Sequence, residues 1–114
     1  MSFRSTAAAG FSAAAFLLAM IPPQAAAQDV AAGRRKAVAC QACHGLDGIA
    51  RLPDAPNLAA QPASYLEREL RAYRAGTRRN EVMAVAAKGL NDADIKDLAA
   101  YYSAIQIEVK ALPQ

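Results

Sequence analysis

The residues of this sequence best suited to chemistry occupy five consecutive positions, Cys40-Gln41-Ala42-Cys43-His44. The two cysteines are the only ones in the 114-residue chain, and His44 is its only histidine. Two thiols at this spacing at the end of a helix can bond both vinyl groups of one porphyrin, and the adjacent imidazole is then held under the iron as an axial ligand. The pattern is typical of covalent attachment of a c-type haem.

Three other uses of these residues fit the sequence less well. A structural zinc ion takes four protein ligands, whereas this motif supplies three and the sequence has no second cluster. A thioredoxin-like dithiol belongs between a strand and a helix, but the sequence shows no strand pattern. A plain disulfide between Cys40 and Cys43 would leave His44 unexplained. One haem c is therefore the predicted cofactor.

A second axial ligand to the iron is predicted by elimination, because the only histidine is already used. Met83 is the one methionine beyond residue 27. It follows a polar basic loop, from which a strand of chain could cross the distal face of a haem. The more usual role of a single methionine is to fill a core. Lys88, or a position filled by water, remains the alternative to Met83.

The first 27 residues have the pattern of a secretory signal peptide. Arg4 precedes an uncharged stretch over residues 7–21, and small residues then lead to a cleavage site between Ala27 and Gln28. So short an apolar stretch does not cross the ~30 Å hydrocarbon core of a bilayer, so a retained membrane anchor is the weaker interpretation. We expect a signal peptide, export to the periplasm, and one domain over residues 28–114.

The composition excludes some functions and points to a small core. The formal net charge is +3, with cations interleaved among carboxylates and no basic stripe with aromatics, so nucleic acid is not an expected partner. Beyond residue 27 the chain has no Phe or Trp, and its only aromatic residues are four tyrosines. Domains of this size with small hydrophobic cores usually need a disulfide, a metal or another stabilising group. A haem would supply the missing apolar volume.

The apolar periodicity predicts an all-α domain. The expected elements are a first helix over 29–42, a loop over 45–61, a second helix from Pro62 to the stop at Gly76, a short helix over Glu81–Lys88, and a last helix capped by Asn91.

Two of these helices carry further signals. In the second helix, Ser64 and Glu67 fit a capping box, and Pro62 suits the first helical position. In the last helix, acidic residues of the first turn favour the helix start. Its expected buried face consists of Ile95, Leu98, Ala99, Tyr102 and Ile105.

On these motifs the chain resembles a small, single-haem class I bacterial cytochrome c, and most of all one half of the periplasmic di-haem cytochromes c. The similarity covers Val30–Ile105 and includes the Cys40–His44 motif, the Met83 segment and the acidic start of the last helix. It implies the cytochrome c fold, in which three main helices and a short one wrap around one haem.

The resemblance also implies contacts around His44 and between the terminal helices. The Pro56 carbonyl would accept the Nδ1 proton of His44 and so fix the imidazole ring. Tyr101 would pack the last helix against the first, where Gly33 permits close approach. Many relatives carry an aromatic residue near Lys36 or Ala37; this chain has none, so the contact between these helices is expected to be smaller.

Three further residues are candidates for contact with the haem propionates. Arg78 and Arg79 carry guanidinium groups, whose fork of donors suits carboxylates, and Tyr65 offers a hydroxyl. Each arginine is equally well explained as part of a solvated charged surface.

With both axial positions filled by protein, the expected chemistry is one-electron transfer. The predicted function is that of a periplasmic electron carrier and not of an enzyme, monomeric or transiently bound to redox protein donors and acceptors, and not integral to the membrane after cleavage. One alternative is a haem-bearing subunit of an oxidoreductase complex. The other is a haem sensor with a displaceable sixth ligand.

Overall fold

The computed structural model describes residues 28–114, and the predicted signal peptide and its cleavage site lie outside this range apart from Gln28. The described chain is all-α, as expected, and strands are absent from it. Its helices are α1 (Val30–Ala37), α2 (Gln41–His44), α3 (Ala63–Ala75), α4 (Glu81–Lys88) and α5 (Asp92–Ala104). The expected long loop after the haem motif is present between α2 and α3, and the short helix has the predicted bounds.

The expected continuous first helix is wrong, because the chain breaks between α1 and α2. Asp29 caps α1 by accepting from the Ala32 N–H at 3.0 Å, as its type predicts. At the other end the Ala39 and Cys40 N–H groups bond to carbonyls three residues back, at 3.1 and 2.9 Å. These short-range bonds tighten the last turn and end α1. The cysteine motif therefore lies on a separate turn of helix.

The predicted capping box at the start of α3 is also wrong. The helix begins at Ala63, with Pro62 in the preceding cap position at ψ 133°, and no side chain caps it. Ser64 is therefore already inside the helix. The Glu67 carboxylate instead accepts hydrogen bonds from Gln28 and Arg71, each at 3.0 Å. The end of α3 is as predicted, since Gly76 adopts φ 76° at its C-cap.

Helices α1 and α5 cross in close contact at Gly33, as the resemblance implies. A Cβ added to Gly33 would collide with the backbone carbonyl of Asp97 and with Cβ of Tyr101. Only glycine therefore permits the observed approach of the two helices. Close by, Ala37 is fully buried.

A charged cluster that the sequence reasoning missed joins the same two helices. Lys36 Nζ lies 2.8 Å from Asp94 and 2.7 Å from Asp97 on α5. Asp97 is nearly buried and also accepts from the Asp29 N–H at 3.0 Å. The position at which many relatives are expected to carry an aromatic is thus used for a polar bridge.

Helix α5 supplies most of the core. Asn91 and Asp94 form a reciprocal capping box at its start, which satisfies two backbone N–H groups. Four of the five residues expected on its buried face, all except Ile105, are at most 3% exposed. Ile105 is half-buried at the C-cap and packs against the core cluster, which consists of Ala37, Leu66, Leu98, Ala99 and Tyr102.

Candidate haem site

The turn α2 presents Cys40, Cys43 and His44 together. The Cys40 carbonyl accepts from the N–H groups of both Cys43 and His44, at 3.3 and 3.0 Å. The turn ends at Gly45, whose φ of 72° is readily available to glycine and lets the chain reverse directly after the histidine. Both cysteines are half-buried, and His44 is buried.

The tautomer of His44 follows from one contact. Its Nδ1 lies 2.9 Å from the Pro56 carbonyl oxygen, which can only accept a hydrogen bond. Nδ1 of the neutral ring therefore carries the proton, and Nε2 keeps the lone pair that a metal ion binds. This is the contact that the resemblance implies for Pro56. It orients the ring.

The loop that carries Pro56 is held by hydrogen bonds between its own residues. The Gly48 carbonyl accepts from the N–H groups of Leu58 and Ala59, at 2.8 and 3.1 Å. The Asn57 side chain accepts from the Ala50 N–H at 2.7 Å. These bonds fix the segment directly after Pro56, so its carbonyl oxygen has a defined position opposite the imidazole.

Two tyrosine hydroxyls on α5 hold the segment directly after His44, a role that the sequence reasoning missed. Tyr101 donates to the Leu46 carbonyl at 2.7 Å, and Tyr102 donates to the Gly45 carbonyl at 3.3 Å. Burial raises the pKa of Tyr102 far above its usual value, which keeps the hydroxyl protonated as a donor. The adjacent tyrosines in the sequence predict packing of the last helix, but they do not predict which carbonyl groups their hydroxyls bind.

The surroundings of the cysteines suit a porphyrin better than redox chemistry of thiols. Half-buried apolar side chains next to the core cluster include Cys40, Leu58, Leu70 and Leu90. Burial raises the pKa of the Cys40 thiol, and the nearby Cys43 contributes further. A reactive thiolate requires the opposite shift. Within residues 28–114 there is also no group of three or more His, Cys, Asp or Glu residues arranged to hold a metal ion.

Met83 lies in the first turn of α4, not in an extended crossing strand. Its N–H donates to Asn80 Oδ1 at 2.9 Å, and Asn80 is the N-cap of the helix. The side chain is half-buried on the side of α4 that also contains the buried Ala87. Helix α4 packs against α3. Lys88, the alternative ligand, is exposed at the last turn of the same helix.

The three candidates for propionate contact lie on or just after α3. The Arg78 guanidinium is 2.7 Å from Glu69 and stacks 4.7 Å from the Tyr73 ring centroid. Tyr65 is half-buried beside the core, with Arg68 over its ring at 5.1 Å. Arg79 is exposed and, among residues 28–114, belongs to no ion pair. Arg79 therefore has more freedom than Arg78 to meet a carboxylate.

Comparison with known proteins accounts for this arrangement. The family model described as cytochrome c matches residues 30–105. This chain belongs to the cytochrome c family. It is 50% identical over 80 residues to cytochrome c-554(548) of Halomonas halodenitrificans, a match that covers 68% of this chain and 96% of that protein. Its fold is the cytochrome c fold, and its cofactor is covalently bound haem c.

Two solved structures are similar to the chain as well. The reduced recombinant cytochrome c4 of Pseudomonas stutzeri gives a TM-score of 0.66 at 36% identity, over 70% of this chain and 47% of that one. A thiosulfate dehydrogenase of Marichromatium purpuratum, as isolated, gives 0.65 at 29% identity, over 75% of this chain and 20% of that one. The chain thus spans about half of the cytochrome c4, which confirms the expected resemblance to one half of a di-haem cytochrome c.

Proposed function

We propose that this cytochrome c carries single electrons in the periplasm through one haem, bound by Cys40 and Cys43 and ligated axially by His44 and Met83. The observation that carries the assignment of the site is the 2.9 Å contact between His44 Nδ1 and the Pro56 carbonyl. With the proton on Nδ1, Nε2 of His44 keeps a free lone pair. This is the tautomer in which the imidazole of a Cys-x-x-Cys-His turn can bind iron.

Each residue has a definite task in this proposal. When bound, the haem supplies a ferric/ferrous one-electron couple. Cys40 and Cys43 would hold the haem covalently, and the Pro56 carbonyl orients the His44 ring. The Met83 thioether would be the second protein ligand of the iron, which would favour the ferrous state and leave no iron position open to dioxygen or a substrate. The protein would then carry single electrons without converting a substrate.

The start of the sequence supports the periplasmic location. The sequence over residues 1–27 has the parts of a cleavable export signal. Among residues 28–114, every helix is too short or too polar to cross a bilayer. Covalent haem attachment is consistent with an exported domain.

The Met83 assignment is tested by the ferric absorption spectrum. Thioether ligation gives a low-spin spectrum with a weak far-red sulfur-to-iron band. We expect Met83→Ala to abolish this band, to lower the reduction potential because the ferrous state loses its soft ligand, and to admit carbon monoxide to the ferrous protein. The matched control is Lys88→Ala on the same helix, which should change none of these. An unchanged band in Met83→Ala, or its loss in Lys88→Ala, would contradict the assignment.

A second candidate is a haem-bearing subunit of an oxidoreductase. The structural similarity to part of a thiosulfate dehydrogenase favours it, because a domain of this fold occurs there within an enzyme. A stable complex with a second protein, retained through purification from the native periplasm, would support this role over that of a free carrier. The sensor alternative requires carbon monoxide binding by the unaltered ferrous protein at neutral pH.

A further inference from the structure

Helix α4 has an apolar outer face that no part of the described chain covers. Val82 is 68% exposed and Val85 is 78% exposed, the two most exposed large apolar side chains in any helix of residues 28–114. Ala86 and Gly89 are exposed as well. These four residues follow the spacing of one helix face, one turn after another. They form a continuous apolar stripe, called here the α4 stripe.

The opposite side of α4 is apolar too. Met83 and Ala84 are half-buried there and Ala87 is fully buried, so this side faces the protein. A helix that is apolar all round is normally enclosed on every side. By contrast, the exposed positions of α1 include Arg34 and Arg35. The α4 stripe is therefore a surface suited to a partner.

The charges of α4 lie only at its ends. Glu81 is in the first turn and Lys88 in the last, and both are exposed. Among residues 28–114 neither belongs to a salt bridge. A second α4 running antiparallel would place each Glu81 near the Lys88 of the other copy. The helix is thus complementary in charge to itself.

We propose that the α4 stripe is the contact surface for a second copy of this protein, with the two α4 helices packed antiparallel about a twofold axis. With the axis between Val85 and Ala86, Val82 meets Gly89 of the second copy, and Val85 meets Ala86. Each valine then lies opposite a small residue, which allows the helix axes to approach closely. Two symmetric ion pairs between Glu81 and Lys88 flank this contact.

The expected dimer is weak. An eight-residue helix is about 12 Å long, so the contact falls well below the about 1,600 Å² buried in a standard stable interface. Association is therefore transient and appears only at high protein concentration. It concerns the outside of α4 alone, so it does not depend on which residue ligates the iron.

The test uses sedimentation velocity of the haem-loaded protein up to about 1 mM. We expect the weight-average mass to rise toward that of a dimer with concentration. Glu81→Lys leaves α4 positive at both ends, and Lys88→Glu leaves it negative at both ends. Each variant alone should associate about tenfold more weakly or worse, because like charges face each other. An equimolar mixture of the two should associate again, because every pair across the axis is then of opposite sign.

The mixture separates recognition from loss of folding, since neither variant changes between the separate and mixed samples. Circular dichroism and the haem spectrum confirm that each variant is folded. Arg35→Glu, a charge reversal on α1 outside the stripe, is the matched control and should leave association unchanged. A monomeric native protein at 1 mM, a mixture that stays monomeric, or an equal loss in Arg35→Glu would each overturn the proposal.

Discussion

The α1–α5 crossing and helix α4 are stabilised in different ways. Helices α1 and α5 meet at Gly33 without space for a side chain, and Lys36 bridges them to two carboxylates. Helix α5 has six buried residues, whereas α4 has only Ala87. The first region is thus held by contacts within the protein. The helix with the proposed axial methionine has few such contacts.

This difference indicates what haem contributes to the fold. The buried cluster contains two alanines among its five residues, so little apolar surface is removed from water by protein packing alone. The half-buried leucines packed against the core cluster and the Met83 side of α4 are the surfaces that a porphyrin would cover. We expect the α1–α5 crossing to retain some helix without haem, while the rest of the domain requires it.

The largest effect is expected from loss of haem attachment. Cys40→Ala or His44→Ala removes a tether or an axial ligand, and with it the stabilisation that a group bound only to the native state provides. Mass spectrometry of the exported native protein should show a chain beginning at Gln28 plus one haem. Most of the variant should show the bare chain, with reduced helicity and no cooperative thermal transition. Full helicity with cooperative melting in the apo-protein would contradict the idea that haem completes the core.

The next effect concerns the crossing itself. Gly33→Ala forces a methyl group against the Asp97 carbonyl, and we expect it to lower the free energy of unfolding by about 3 kcal/mol. Denaturant unfolding of the haem-loaded protein measures this. Gly89→Ala is the control, because its φ is −88° and its added Cβ meets no atom within 4 Å. It should remain within about 1 kcal/mol of the native protein. Equal effects of the two substitutions would show that the crossing is not tightly packed.

The smallest effect is a pH dependence at the same crossing. Hydrogen bonds from Lys36 lower the pKa values of Asp94 and Asp97, and hydrogen bonds from both carboxylates raise the pKa of Lys36. The carboxylates therefore stabilise the fold above their ordinary pKa of about 3.9, and this is lost as the pH falls through the lowered values. The lysine stabilises it below about pH 10.4, and this is lost as the pH rises through the raised value.

In Lys36→Met, the free energy of unfolding should fall less at both low and high pH than it does in the native protein. Urea midpoints across the acid and alkaline ranges measure this. Lys110→Met removes an exposed cation that belongs to no ion pair of residues 28–114. This control should keep the pH dependence of the native protein. Parallel curves for native protein and Lys36→Met would show that the bridge contributes nothing.

The sequence predicted features that depend on local chemistry. Asn91 caps α5, Gly76 ends α3, and α4 has its expected bounds, because caps and stops act through neighbouring backbone groups. The cofactor followed from the spacing of Cys40, Cys43 and His44. The role of these residues and of Met83 in binding it stays a prediction from the motif.

The errors lie where distant contacts override local preference. No residue between Val38 and Ala42 is a helix breaker, yet α1 ends before this segment and Cys40 packs against the core. Serine is a common N-cap residue, but Ser64 lies inside the helix because Pro62, with its extended ψ, occupies the N-cap position. The Lys36 bridge joins residues that are 61 positions apart. Such pairings cannot be read from periodicity, because the crossing of α1 and α5 determines them.

The separation of these partners along the chain has a consequence for the order of biosynthetic events. Helix α1 lies at the start of the domain, but its packing surface is on α5, the last helix of the described chain. Closing so long a loop is slow, and an isolated α1 of eight residues is too short to be stable. Until α5 has emerged, Cys40 and Cys43 remain in an open chain. Their thiols are therefore open to haem attachment before folding encloses them.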